Sequence, residues 1–144
     1  MPGAPGTAGA AVGAALYWAL APNGAAIVVG TAVALLAAGI YAADVAERIY
    51  AQRDDGRIVI DEVVGQLLAL SPAALWSANP RSPLFLAIGF LAFRLFDIWK
   101  PGPVRWAERN FAGGAGVMFD DVLAGLLAAA CVAAACAASS RFAT

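Results

Sequence analysis

The chain has 144 residues, one domain's worth, with a net charge of −1 and no histidine. Hydrophobic residues make up 62% and charged residues 13%, against roughly half and a quarter in ordinary globular chains. A soluble domain of this size could not hide so much apolar surface, and nothing resembles the basic clusters that bind nucleic acid.

Charge-free runs cover residues 1–43, 63–80 and 122–140, and apolar runs of about 18 residues or more are transmembrane candidates. The fold expected is therefore all-α: a polytopic membrane protein forming a compact bundle of four or five mostly transmembrane helices, some short or broken, with residues 1–144 as one membrane-embedded domain. The opening MPGAPGTAGAA has no basic n-region, unlike a cleaved secretory signal.

Residues 6–20 read as a short helix rich in small residues, with Thr7 as N-cap. Gly9 and Gly13 form a GxxxG pair that lets another helix come close. Ala21–Gly24 reads as a turn and 25–43 as a second apolar helix, with Asp44, Glu47 and Arg48 on its continuation. Asp54-Asp55-Gly56 then breaks it. The third segment spans 61–76, with a kink expected at Pro72. Asn79-Pro80 is a turn, and Ser82-Pro83 starts a fourth helix over 83–99. Lys100-Pro101-Gly102-Pro103 stops that helix. Residues 104–111 suit an interfacial piece, with Trp99 and Trp106 at headgroup depth. Gly113–Gly116 reads as a loop before a fifth apolar segment at 120–138. Cys131 and Cys136 are five apart, fall on different helix faces and read as small apolar fillers.

Basic residues concentrate in 44–60 (Arg48, Arg53, Arg57) and in 100–111 (Lys100, Arg105, Arg109), whereas the 77–82 turn has only Arg81. The positive-inside bias places the two richer stretches in the cytoplasm, with the N-terminus inside and the C-terminus outside. Asp61-Glu62, the Arg94–Arg105 group and Asp120-Asp121 then share the cytoplasmic layer instead of lying at mid-membrane depth, where a transport path would place them.

The acidic pairs carry the chemistry. Carboxylates in a first helical turn favour the helix dipole by about 0.3–1 kcal/mol each, which accounts for one per helix better than for two. Four at one depth repel unless a cation joins them, and hard oxygen ligands suit Mg²⁺. From the residues alone, capping and a metal site both stay open. Arg94 and Asp97 share a helix face. Arg94, Lys100 and Arg105 beside a metal–carboxylate cluster suit a phosphate monoester, although Lys100 and Arg105 also fit a membrane-edge belt. The missing histidine excludes phosphohistidine and histidine acid–base chemistry, leaving metal-assisted hydrolysis.

Several ordered motifs are similar to one family. PGAPGTAGAAVG at 2–13, IVIDEVVGQ at 58–66, FRLFDIWKPGPVRWAER at 93–109 and GGAGVMFDDVLAGL at 113–126 resemble motifs of the bacterial phosphatidylglycerophosphatase A family. The resemblance implies a Mg²⁺-dependent lipid phosphatase of the bacterial inner membrane. It would hydrolyse phosphatidylglycerophosphate to phosphatidylglycerol and phosphate at the cytoplasmic leaflet, with the phospholipid in the bilayer as partner and a homo-oligomer left open. The motif positions that carry over are Asp54, Asp61, Glu62, Arg94, Asp97, Lys100, Asp120 and Asp121. On this reading Asp61, Glu62, Asp120 and Asp121 bind the metal, and Asp97 is a further ligand or a base. Arg94, Lys100 and Arg105 hold phosphate, while Thr7 and Asp54 support the site. Gly102 stands where the family commonly has Trp, and Asp55 where Pro or a neutral residue is usual. The alternative from a different class is a non-enzymatic, cation-binding membrane or transporter subunit.

Overall fold

The computed structural model describes residues 4–50, 56–99, 102, 105, 106 and 113–142. Asp54, Asp55, Lys100, Pro101 and Pro103 lie outside the described residues. Regular structure among those described is entirely helical: α1 (Ala4–Leu20), a short 3-10 turn (Ala21–Asn23), α2 (Ala25–Tyr50), α3 (Gly56–Trp76), α4 (Pro83–Trp99) and α5 (Gly113–Phe142).

Chain punctuation explains most boundaries. Gly24 has φ of +99°, a conformation that favours glycine, and it separates α1 from α2. The Ser82 amide donates to the Asn79 carbonyl (3.0 Å), and the Leu86 amide donates to the Ser82 carbonyl (3.0 Å), so the turn leads directly into α4. The helix runs over 83–99 as its Ser-Pro start and Lys-Pro stop predict.

Three boundaries differ from expectation. α1 starts at Ala4, so Thr7 lies inside the helix instead of capping it; the fixed φ of Pro5 suits a first turn. α3 starts at Gly56, placing Asp61 and Glu62 beyond the first turn, where capping cannot account for them. The Gly113–Gly116 stretch is the first turn of α5 and not a loop. Glycine costs about 1 kcal/mol in a helix relative to alanine. In apolar surroundings, however, a helix is the local way to satisfy every N–H and C=O. α3 also continues through Pro72. Proline has no N–H to give to the Leu68 carbonyl, and the Ser71 hydroxyl donates to that carbonyl instead (2.8 Å).

α3 is the centre and packs against all four other helices. A methyl built on Gly13 of α1 would lie 2.7 Å from Gln66 Cβ and 3.1 Å from Val63 Cα. The Tyr17 hydroxyl donates to the Pro80 carbonyl (2.8 Å), past the end of α3. Therefore α1 and α3 run the same way. α4 runs back, since Gly89 faces Leu70 and Phe93 faces Gly65. α5 crosses α3 at their glycines: a methyl on Gly125 would lie 2.5 Å from the Gly65 carbonyl oxygen. Gly39 of α2 faces Ile60 and Met118 near the starts of α3 and α5. The starts of α1, α3 and α5 and the end of α4 thus share one end of the bundle.

Polarity is inverted relative to a soluble domain. Asp61, Glu62, Gln66, Arg94, Asp120 and Asp121 are buried, whereas Val33, Tyr41, Leu84, Leu91 and Leu95 are exposed. Ala25–Ala42 of α2 and Met118–Arg141 of α5 are long and apolar enough to cross a bilayer. Together these features describe a compact helical membrane protein.

The glycine crossing is testable. Gly125→Ala should lower stability by about 1–3 kcal/mol, the usual cost of overpacking. Gly30→Ala, which meets nothing within 4 Å, should be neutral or stabilising by up to about 1 kcal/mol. Thermal unfolding in detergent compares them, and equal midpoints would remove the crossing as a constraint.

Candidate active site

The shared end of the bundle holds the buried charged side chains Asp61, Glu62, Arg94, Asp120 and Asp121. Successive residues on a helix point about 100° apart, so neither acidic pair faces one point as a pair. Glu62 and Asp121 turn toward each other across the glycine crossing. Asp97, one turn after Phe93 on α4, completes a trio. Carboxylate oxygens of Glu62, Asp97 and Asp121 all lie within 4.8 Å of one another. Glu62 and Asp121 are buried and Asp97 is partly exposed, so the trio has one open side.

Arg94 links two of these acids. Its Nη1 donates to Glu62 Oε2 (3.1 Å) and to the Asp97 carboxylate. The Arg94 side chain is only 10% exposed, and its buried Nε has no hydrogen-bond partner among the described residues. The carboxylates outnumber this one guanidinium, even before Asp61 and Asp120 are included. Excess buried like charge is costly unless protons or a cation compensate it. The trio offers only hard oxygen donors, close enough together for one ion to reach, and this set fits a hard divalent cation.

Other expected residues are placed as follows. Asp61 and Asp120 are buried but are not members of the trio. Arg105 is exposed in a helical turn beyond α4, and Thr7 is exposed near the start of α1. Asp54 and Lys100 lie outside the described residues. Gln66 went unnoticed as a site residue in the sequence. It is fully buried one turn after Glu62, with neither amide atom hydrogen-bonded among the described residues. The available signal was a carboxamide inside the charge-free run that follows Glu62.

The fold and the site together define a small helical membrane protein in which, among the described residues, the acidic trio and the buried Arg94 guanidinium lie at one end of the bundle. The family model for phosphatidylglycerophosphatase A matches residues 1–136. The chain belongs to the phosphatidylglycerophosphatase A family.

Two named relatives carry the family's name, and a third is named for phosphatidylinositol-3-phosphatase activity. A phosphatidylglycerophosphatase A of Escherichia coli (strain K12) is 38% identical over 93 residues, covering 63% of this chain and 50% of that protein. The matched stretch thus spans about half the length of that relative. A Bacteroides thetaiotaomicron protein, provisionally named a phosphatidylinositol-3-phosphatase, is 43% identical over 131 residues, 87% of this chain and 79% of its own. A phosphatidylglycerophosphatase A of Haemophilus influenzae is 39% identical over 77 residues, 52% of this chain and 43% of its own. No solved structure matches the chain.

Cation binding at the trio has a readout independent of catalysis. The unfolding midpoint should rise with Mg²⁺, by about 2.7 kcal/mol of stability at a hundredfold excess over Kd. Asp121→Asn should raise metal-free stability, since one buried like charge is gone, and should remove most of the Mg²⁺ dependence. An unaltered protein indifferent to Mg²⁺ would exclude the trio as a cation site.

Proposed function

We infer that the protein is a Mg²⁺-dependent phosphatase of a phospholipid, converting phosphatidylglycerophosphate and water to phosphatidylglycerol and phosphate. The observation that carries this reading is the juxtaposition of the Glu62–Asp97–Asp121 trio with Arg94 at one end of an apolar bundle. Family membership narrows the substrate class. The transporter alternative has no comparable support, because the described buried charge clusters at one end of the bundle.

The residues divide the work. Glu62, Asp97 and Asp121 would hold Mg²⁺, and Asp61 and Asp120 add buried negative charge beside them. Bound Mg²⁺ would neutralise phosphate charge and act as a Lewis acid toward a phosphoryl oxygen. Arg94 is tied through Nη1 to Glu62 and Asp97, which orients the guanidinium, and its remaining N–H groups would donate to a phosphate oxygen. Asp97 is the least enclosed acid of the trio and would take the proton of the attacking water. The water oxygen bonds to phosphorus, the bond from phosphorus to the glycerol oxygen breaks, and the proton ends on the departing alkoxide. Lys100 and Arg105 would draw the dianionic phosphate monoester of the headgroup toward the site.

Glu62 lies six residues into α3, about 9 Å along the helix at 1.5 Å per residue. A headgroup phosphate could reach that depth while its acyl chains stay among lipids. The basic residues of 44–60 and 100–111 support a cytoplasmic orientation in a bacterial inner membrane.

Purified protein should release phosphate from phosphatidylglycerophosphate with Mg²⁺ and lose activity in EDTA. Asp121→Asn and Arg94→Ala should each lower turnover roughly a hundredfold or more. Phosphatidylinositol 3-phosphate and phosphatidic acid, supplied in parallel, test the headgroup. Activity surviving EDTA would refute the metal-assisted route, and release from phosphatidylinositol 3-phosphate alone would refute the substrate.

A further inference from the structure

Gln66 is the polar residue that the proposed reaction leaves unused. It is 0% exposed, and both Nε2 and Oε1 are buried without a hydrogen-bond partner among the described residues. Such a group loses its hydration and gains nothing in return, and native interiors rarely tolerate that without a reason. A methionine of similar shape would fill the same space at no such cost.

Its position indicates the reason. Gln66 follows Glu62 by four residues, so the two share a face of α3. Long side chains in helices lean back toward the N-terminus, over the preceding turn, which aims the Gln66 amide toward the level of Glu62. Gly13 closes the other side, since a methyl there would lie 2.7 Å from Gln66 Cβ. The absence of a side chain at Gly13 lets α1 form a wall beside the amide. The result is one donor and one acceptor in apolar surroundings, immediately deeper than the acidic trio.

We propose that Gln66 is a specificity-determining residue that hydrogen-bonds a hydroxyl of the substrate alcohol, next to the phosphate ester undergoing hydrolysis. This assignment rests on the phosphatase reading above. A hydroxyl matches the amide because it donates to Oε1 and accepts from Nε2. Phosphate oxygens only accept, and a cation would meet only Oε1. In phosphatidylglycerophosphate the headgroup glycerol carries one free hydroxyl, on the carbon beside the ester. A buried polar group that expects a hydroxyl discriminates strongly against an analogue lacking it.

The test uses the full-length protein and two lipids: phosphatidylglycerophosphate, and its analogue with 1,3-propanediol phosphate in place of glycerol phosphate. The unaltered protein should prefer the hydroxyl-bearing lipid by about tenfold or more in kcat/KM. Gln66→Met should lower kcat/KM on that lipid by a similar factor and abolish the preference. Its unfolding midpoint should equal or exceed that of the unaltered protein, because an uncompensated buried amide is removed. Release without discrimination by the unaltered protein overturns the assignment alone. So does an equal loss on both lipids, which would mean the amide serves a water, or a lowered midpoint, which would mean it serves the fold. If the unaltered protein releases no phosphate from either lipid, the phosphatase reading falls and takes this assignment with it.

Discussion

The structure depends on the contact between Gly65 of α3 and Gly125 of α5. Side chains cannot be added at either position: a methyl on Gly125 would press on the Gly65 carbonyl oxygen, and one on Gly65 would lie 2.9 Å from the Asp121 carbonyl oxygen. Small residues let helices approach closely enough for backbone contact. The consequence for function comes from register. Glu62 precedes Gly65 by three residues and Asp121 precedes Gly125 by four, so the crossing brings both carboxylates to the same level. The Phe93 ring occupies the remaining space beside Gly65, which sets α4 so that Arg94 and Asp97 reach the same point. One close approach therefore fixes three helices and builds the site.

Much of this arrangement was legible in the sequence. The apolar runs report helices, since a chain with this composition has few other ways to satisfy its backbone. α4 was legible to the residue because proline punctuates both ends. The starts of α3 and α5 were not, because glycine signals a loop in water and close packing among apolar helices. The acidic pairs were visible as pairs, but pairing in sequence is not pairing in space. The turn of the helix separates Asp61 from Glu62 and Asp120 from Asp121, and the trio takes one acid from each pair and the third from α4. No local pattern reveals that selection, which depends on where α3 and α5 cross. Gln66 illustrates the converse. A carboxamide signals little by itself, and it becomes conspicuous once burial shows that nothing among the described residues answers it.

Burial also explains why this chain can keep so many acids inside. A membrane protein exposes its apolar side chains to lipid, and here Leu91, Leu95 and Ile98 of α4 face outward while Arg94 and Phe93 on the same helix face inward. The interior is then where polar groups can be placed, but the medium makes each unanswered charge expensive. Arg94 answers Glu62 and Asp97, and among the described residues the trio is left short of positive charge. That deficit is what the proposed cation would make up, and an anionic substrate follows from the same proposal. Charge balance thus links the burial of a few carboxylates to the class of ligand they recruit.

The two ends of the bundle divide stability and chemistry. At the end away from the acids, the Tyr17 hydroxyl holds the Pro80 carbonyl and Arg81 Nε donates to the Trp18 carbonyl (2.7 Å). The Arg81 guanidinium also lies 3.9 Å above the Trp18 ring, a cation–π arrangement. These contacts clip the end of α1 to the turn between α3 and α4. They add to the apolar packing of Tyr17, Leu16 and Leu20 of α1 around Val63, Leu67 and Leu70 of α3. With its far end fastened, α1 stays aligned along α3 as far as the acidic end, where Gly13 walls in Gln66. The acidic end can then carry strained electrostatics, because its geometry is secured by packing and hydrogen bonds that involve none of the acidic residues.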